Sequence, residues 1–397
     1  MSDHAAMKFP EATHLYEDWL RRSLPQPPGP DDDALDFKHR AIAKDGGEDG
    51  AESAFPFLRA TFYRWAERWL AEAGKLADAP KVLAVGDLHI ENFGTWRDGD
   101  GRLIWGVNDF DEAWELPWTS DLVRLGVSAA LALGHDVFDL QTEEVCGLIL
   151  DGYKEGLKEG RIVAFDLDAG HKRLRKMIEK AFKPADDFWK PFDDPDSKWQ
   201  PISNPPTDAR TALHEALPKS AVVEGYREQQ GKYDKKRKPA GLGSLGRPRY
   251  CVLAHQDGKR LVRETKALLP SAAAWAAGEK EPTIRVGTLL AKARPNPDPW
   301  MKLHGAWIVR RISPKAVKVS LEKLAADGFE SEDAAKLFHS MGRETANIHL
   351  ATGNAEKLLE DLRARRKRKE SWFVDAVGAW RGNVEKDWDS FRYKSTL

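Results

Sequence analysis

Cysteine is scarce: two in 397 residues, Cys146 and Cys251, too far apart in the chain and too few for a disulfide framework or a thiolate zinc site. That usage predicts a reducing cytoplasm. Long apolar runs are also missing; none approaches the roughly 20 residues that cross a bilayer, so no membrane partner is expected. The opening Met1-Ser2-Asp3-His4 has no basic region leading into an apolar run, and no secretory signal is expected. Excess charge of either sign is absent. The formal net charge is −1, which gives no whole-molecule attraction for nucleic acid or anionic lipid. Neither a His-Glu-x-x-His zinc helix nor a Gly-x-Ser-x-Gly nucleophile elbow occurs. What remains is an ordinary soluble composition, 41% hydrophobic and 31% charged, in a chain long enough for two lobes with separate cores. Its 15 tryptophans are scattered, as core residues would be.

Along the chain, residues 1–54 read as a peripheral segment with one short amphipathic helix near Thr13 to Arg22. Leu58, Phe62, Trp65 and Trp69 recur at helical spacing within a single helix expected from Phe55 to Ala73. A short apolar strand, Val82 to Val85, leads into Gly86-Asp87-Leu88-His89. Strands near Asn92 to Trp96 and Leu103 to Val107 flank Asp98-Gly99-Asp100-Gly101, a strong hairpin turn. Helices are expected from Ser120 to about Phe182, closing a lobe over 55–185. Residues 183–240, with clustered Pro, Asp and Lys, read as a long irregular stretch. A nucleotide-binding lobe is then expected within 186–330, and helices over Glu332 to Ala351 and Ala355 to Asp387 complete the helical lobe from 331 to 397. The basic run from Arg363 to Lys369 lies beside Glu360, Asp361 and Glu370, which reads as a solvated helix face, and no nucleic-acid partner is expected.

Phosphoryl transfer needs few protein groups: a carboxylate facing the acceptor, oxygen ligands for magnesium, and a lysine and glycine-rich loop for the nucleotide phosphates. Asp87 and Asn92 are five apart, the interval of a catalytic loop that ends in Asn. Asp109 and Asp111, in Asn108-Asp109-Phe110-Asp111, stand where such enzymes carry their magnesium-binding Asp-Phe-Gly segment. Magnesium accepts few protein ligands because phosphates and water supply the rest.

Gly86-Asp87-Leu88-His89-Ile90-Glu91-Asn92 resembles the signature of aminoglycoside phosphotransferases and choline-kinase-like enzymes. Asp121-Leu122 resembles the Asp-Leu that buttresses their catalytic loop. The longer pattern, through Asn108-Asp109-Phe110-Asp111-Glu112 to Asp121-Leu122-Val123-Arg124-Leu125, is similar to the bacterial domain-of-unknown-function family 2252, a name that implies no activity. Downstream, Gly241-Leu242-Gly243-Ser244-Leu245-Gly246 precedes a strand, a turn and a second strand ending near Lys266. A dinucleotide fingerprint would need a helix there, so Gly241, Gly243, Ser244, Gly246 and Lys266 read as the phosphate grip of a kinase.

The order is inverted, because the glycine motif follows the catalytic loop by more than 140 residues. The implied architecture is α+β, a two-lobed protein-kinase-like fold in circularly permuted order. It would use ATP and Mg2+ on a hydroxyl or amine of a small molecule. Asp87 would be the base, with Asn92 at the end of its loop; Asn92, Asp109 and Asp111 would be the metal ligands. A nucleotide-binding regulator and an AMP transferase of related fold are the alternatives. Lys266 and Asp109 are then expected to line one cleft although 157 positions separate them (266 − 109). Glu281, opening a helix to Ala293, is the acidic partner expected for Lys266, with Glu264 on the other side of its strand. His89 is expected to hydrogen-bond within its loop.

Overall fold

The computed structural model describes residues 6–24, 54–133, 138–229, 247–318 and 320–392. Helices and antiparallel sheets both contribute, so the chain is α+β as expected. Helix α1 (Phe9–Ser23) is followed by α2 (Ala54–Ala60) and α3 (Phe62–Glu72). The single helix expected over this last region is two, broken at Thr61, whose hydroxyl turns back to the Phe57 carbonyl at 2.7 Å. Helix α1 is no bystander: Tyr16 stacks on Tyr63 of α3 with ring centroids 4.4 Å apart.

Strand β1 (Lys81–Ala84) pairs with β4 (Trp114–Pro117), a strand the sequence reading did not foresee. Between them, β2 (Phe93–Arg97) and β3 (Leu103–Val107) form the expected hairpin, and β5 (Phe165–Asp166) adds to β3. Helix α4 (Trp118–Leu133) is apolar on nearly every side, and all of its residues are buried. Helices α5 (Thr142–Glu159) and α6 (Lys172–Glu179) follow.

The expected irregular stretch, 183–240, is described as far as residue 229, and that part is not irregular. It contains α7 (Ala185–Asp193), β6 (Trp199–Ile202), α8 (Thr207–Glu215) and β7 (Val222–Gln229). Strands β8 (Arg249–Gln256) and β9 (Lys259–Ala267), helices α9 (Ala272–Ala276) and α10 (Val286–Lys292), and strands β10 (Lys302–His304) and β11 (Trp307–Arg311) come next. These strands make a six-stranded antiparallel sheet in the order β10-β11-β9-β8-β7-β6. Alternation along β8 sends Tyr250 and Val252 to one face, against Leu213 of α8, and Cys251 and Leu253 to the other, against Phe188 and Phe192 of α7. Burial raises both thiols, Cys146 to about 12, so neither is a reactive nucleophile.

The last described elements are α11 (Leu321–Ala326), α12 (Ser331–Leu350), α13 (Ala355–Arg368) and α14 (Trp372–Arg392). The single terminal helix expected from Ala355 is therefore two. Helices α5 and α12 lie so close that a Cβ at Gly152 would meet the His339 carbonyl oxygen at 2.0 Å, and one at Gly342 the Ile149 oxygen at 2.0 Å. This approach places α12 beside α4, behind the loop that follows β1. Among the described residues no helix is long and apolar enough to cross a membrane.

Candidate active site

The loop after β1 is held from behind by α4. Asp121 accepts from the backbone N–H of Val85 at 2.7 Å and of Gly86 at 2.9 Å. Gly86 has φ +81°, and a Cβ there would meet the Glu112 carbonyl oxygen at 2.2 Å, so only glycine fits the turn. Behind Asp121, His349 Nε2 lies 3.1 Å from Oδ2, and Tyr153 Oη lies 2.9 Å from His349 Nδ1. A carboxylate only accepts, so Nε2 carries the proton in this bond. Burial pushes the Tyr153 hydroxyl well above its usual range, with the Asp121 charge adding to it.

Asp87 follows Gly86. Its Oδ1 takes both Nε and Nη2 of Arg124, which lies one helical turn beyond Asp121 on α4. Arg124 is fully buried between the rings of Phe62 and Trp65, each 5.1 Å from its guanidinium carbon, and also donates to the Leu58 carbonyl at 2.8 Å. Asp87 Oδ2 has no partner among the described residues. His89 closes the loop as expected: its Nδ1 accepts from Glu91 N at 3.2 Å, while Asn92 Oδ1 accepts from His89 N at 2.8 Å. Burial, reinforced by the Arg59, Lys318 and Arg124 charges, holds His89 well below the usual histidine range, so the ring is neutral with its proton on Nε2.

The hairpin β2–β3 brings the second acidic segment to this loop. Phe93 pairs with Val107, and Asn108 N donates to the Asn92 carbonyl at 3.0 Å, so Asn92 and Asp109 are neighbours across the hairpin base. Lys266, near the end of β9, reaches the same place. Its Nζ is 3.7 Å from Asp109 Oδ1 and in direct contact with Asp111 Oδ2. Lys266 and Asp109 therefore lie close together, as lining one cleft requires. Glu281 is not its partner: that residue is exposed, and its helix begins only at Val286. Strand alternation also sets Glu264 and Lys266, two residues apart, on the same face, contrary to expectation. Glu264 is taken by Arg249 at 2.9 Å and Arg310 at 2.7 Å. The glycine-rich segment with Gly241, Gly243, Ser244 and Gly246 lies outside the described residues.

Arg247, which directly follows that segment, escaped the sequence reading. Its Nη1 is 3.0 Å from Asp111 Oδ2 and its Nη2 2.7 Å from Glu112 Oε1. Glu112 Oε2 in turn accepts from Ala272 N at 2.7 Å. Arg124 also escaped, although its place three residues after Asp121, on the same helix face, was the available signal.

Among the described residues no three His, Cys, Asp or Glu side chains converge as a metal cluster. Asn92, Asp109 and Asp111 instead supply one amide and two carboxylates. This hard oxygen set is too small for an all-protein cage and suits Mg2+, which draws its other ligands from phosphate and water. The Lys266 ammonium resting on both carboxylates shows that the position accommodates positive charge.

Nearby on α12, Glu344 accepts from Val107 N at 3.3 Å and Asn347 Nδ2 at 2.8 Å. Burial pushes its carboxyl up to about 7, against the opposing pull of those two donors and of Arg294 and Arg343. Between about pH 4.5 and 7 the folded chain keeps a proton that the unfolded chain has lost. Stability is thus expected to fall as pH rises through that window, by about 1–3 kcal/mol from this residue. Urea midpoints measured from pH 5 to 8 should show a shallower fall in Glu344→Gln. An unchanged slope would exclude Glu344 as its source.

A family model described as an uncharacterized protein conserved in bacteria (DUF2252) matches residues 48–394. No curated protein and no solved structure matches the chain.

Proposed function

The chain belongs to the bacterial family DUF2252, and we propose for it an ATP- and magnesium-dependent phosphotransferase activity on a hydroxyl or amine of a small molecule. The observation that carries the proposal is the meeting of Lys266 with Asp109 and Asp111, beside a loop containing Asp87 and Asn92. Two segments far apart in sequence supply the groups that phosphoryl transfer needs at one point. Strand order supports a permuted kinase-like fold: β7, the glycine-rich segment, β8, then β9 carrying Lys266 is the arrangement of a kinase nucleotide lobe. In this reading residues 186–330 form that lobe, and 55–185 with 331–397 form the helical one. The cytoplasm is the proposed location.

Each residue then has a task. Arg124 fixes Asp87 through Oδ1 and leaves Oδ2 to orient the acceptor and receive its proton. Asp121 fixes the backbone that presents Asp87. Asn92, Asp109 and Asp111 would hold Mg2+, which when bound neutralises charge on the nucleotide phosphates. Lys266 would bind those phosphates, covered by Gly241, Gly243, Ser244 and Gly246.

Calorimetry with ATP and Mg2+ tests the assignment without knowledge of the acceptor. Asp109→Asn removes a unit charge from the metal position and is expected to weaken nucleotide binding about tenfold or more. Asp87→Asn should leave that binding nearly intact. The reverse ranking would mean that the two roles are exchanged, and no ATP binding by the wild type would end the proposal.

A further inference from the structure

Lys266 and Arg247 meet at one oxygen. Both contact Asp111 Oδ2, and Lys266 also approaches Asp109 Oδ1 at 3.7 Å. Their side chains are 8% and 6% exposed, so each needs a counter-charge. Glu112 anchors Arg247 from the other side at 2.7 Å. Lys266, Arg247, Asp109, Asp111 and Glu112 sum to a single net negative charge (2 − 3 = −1), and the charges of Arg249, Arg310 and Lys318 also act on Asp109.

A divalent cation arriving alone would have to share Asp109 and Asp111 with the Lys266 ammonium, which repels it. A phosphate arriving with the cation offers Lys266 a new partner and frees the carboxylates. We infer that Lys266, assisted by Arg247, competes with a divalent metal for Asp109 and Asp111, so that metal and nucleotide phosphate enter as one unit. The inference rests on the phosphotransferase reading for the identity of the nucleotide, and on the side-chain geometry alone for the competition with metal. Coupling of this kind is reciprocal: whatever releases Lys266 from Asp111 favours metal, and metal favours whatever draws Lys266 away.

The test is Mn2+ binding to the full chain without nucleotide, followed by electron paramagnetic resonance of the free ion. Lys266→Met is expected to bind Mn2+ at least about tenfold more tightly than wild type, because a like charge within a few ångströms has been removed. Arg247→Gln, which loses the more distant cation, should gain about threefold. Circular dichroism establishes that each variant is folded, and Arg247→Gln decides the matter if Lys266→Met is not. Unchanged or weaker Mn2+ binding in the folded variants would overturn the inference. Calorimetry with ATP and Mg2+ separates this failure from that of the underlying reading. If Mn2+ binding tightens but wild type binds no ATP, the competition stands and the phosphotransferase reading falls. If wild type binds ATP with Mg2+ but the variants gain no Mn2+ affinity, the competition alone falls.

Discussion

Asp87→Ala is expected to lower the rate of phosphoryl transfer by roughly 10²–10⁴-fold, about 3–5 kcal/mol of barrier, while nucleotide affinity changes little. A positioned base acts mainly in the transition state, so its loss falls on kcat and not on ground-state binding. The geometry gives this separation a structural basis. Asp87 is held by Arg124 and by the backbone that Asp121 fixes, whereas Lys266 contacts Asp109 and Asp111. Single-turnover rates and calorimetry on the same variant measure both quantities. Retention of more than about a tenth of the wild-type rate would remove Asp87 from the base role.

Asp121→Ala should be among the most destabilising single changes in the chain, by about 3–5 kcal/mol in urea unfolding at neutral pH. Its carboxylate is fully buried and serves three donors: Val85 N, Gly86 N and His349 Nε2. Alanine would leave all three without a partner in a site closed to water, and an unmade buried hydrogen bond costs the full desolvation of its donor. The Tyr153–His349 contact would lose its terminal acceptor as well. A loss below about 1 kcal/mol would show that solvent replaces the carboxylate and that α4 does not set the loop by this route. The assay is independent of substrate, so it tests the scaffold separately from the chemistry.

The acidic constellation was legible because short-range chemistry fixes it. Asp98-Gly99-Asp100-Gly101 sets a hairpin whose pairing of Phe93 with Val107 necessarily brings Asn92 beside Asn108 and Asp109. Lys266 was legible from its place at the end of a strand after a glycine motif. Its proximity to Asp109 was expected, but its ion pair with Asp111 was not, since that contact depends on how the β9 end meets the β3–β4 turn. The misplacement of Glu264 was avoidable, because residues two apart on a strand share a face.

That the structure between 183 and 229 was hidden has a different cause. Pro201 sits in β6, the edge strand, where the missing N–H is tolerated, and Gly225 lies at an irregularity in β7. Such features weaken the alternation that would mark strands in sequence, and the β7 side chains are mostly half-exposed. Strand β4 was missed because Trp114-Glu115-Leu116-Pro117 is too short to show a period and is defined by pairing with β1. The breaks at Thr61 and after Arg368 interrupt runs whose helical periodicity continues across them, so periodicity alone could not reveal them.

The most direct measurement is transfer of label from ATP by the wild-type protein with Mg2+, supplied with sugars, amino alcohols, aminoglycosides and a bacterial cell extract. The label is placed at the γ-phosphate in one series and at the α-phosphate in the other. Transfer of the γ-label to a small molecule, lost in Asp87→Ala under conditions where that variant still binds ATP, is the result predicted here. Transfer of the α-label would instead identify an AMP transferase, and ATP binding without transfer of either label would identify a nucleotide-binding regulator; both outcomes would contradict the phosphotransferase account.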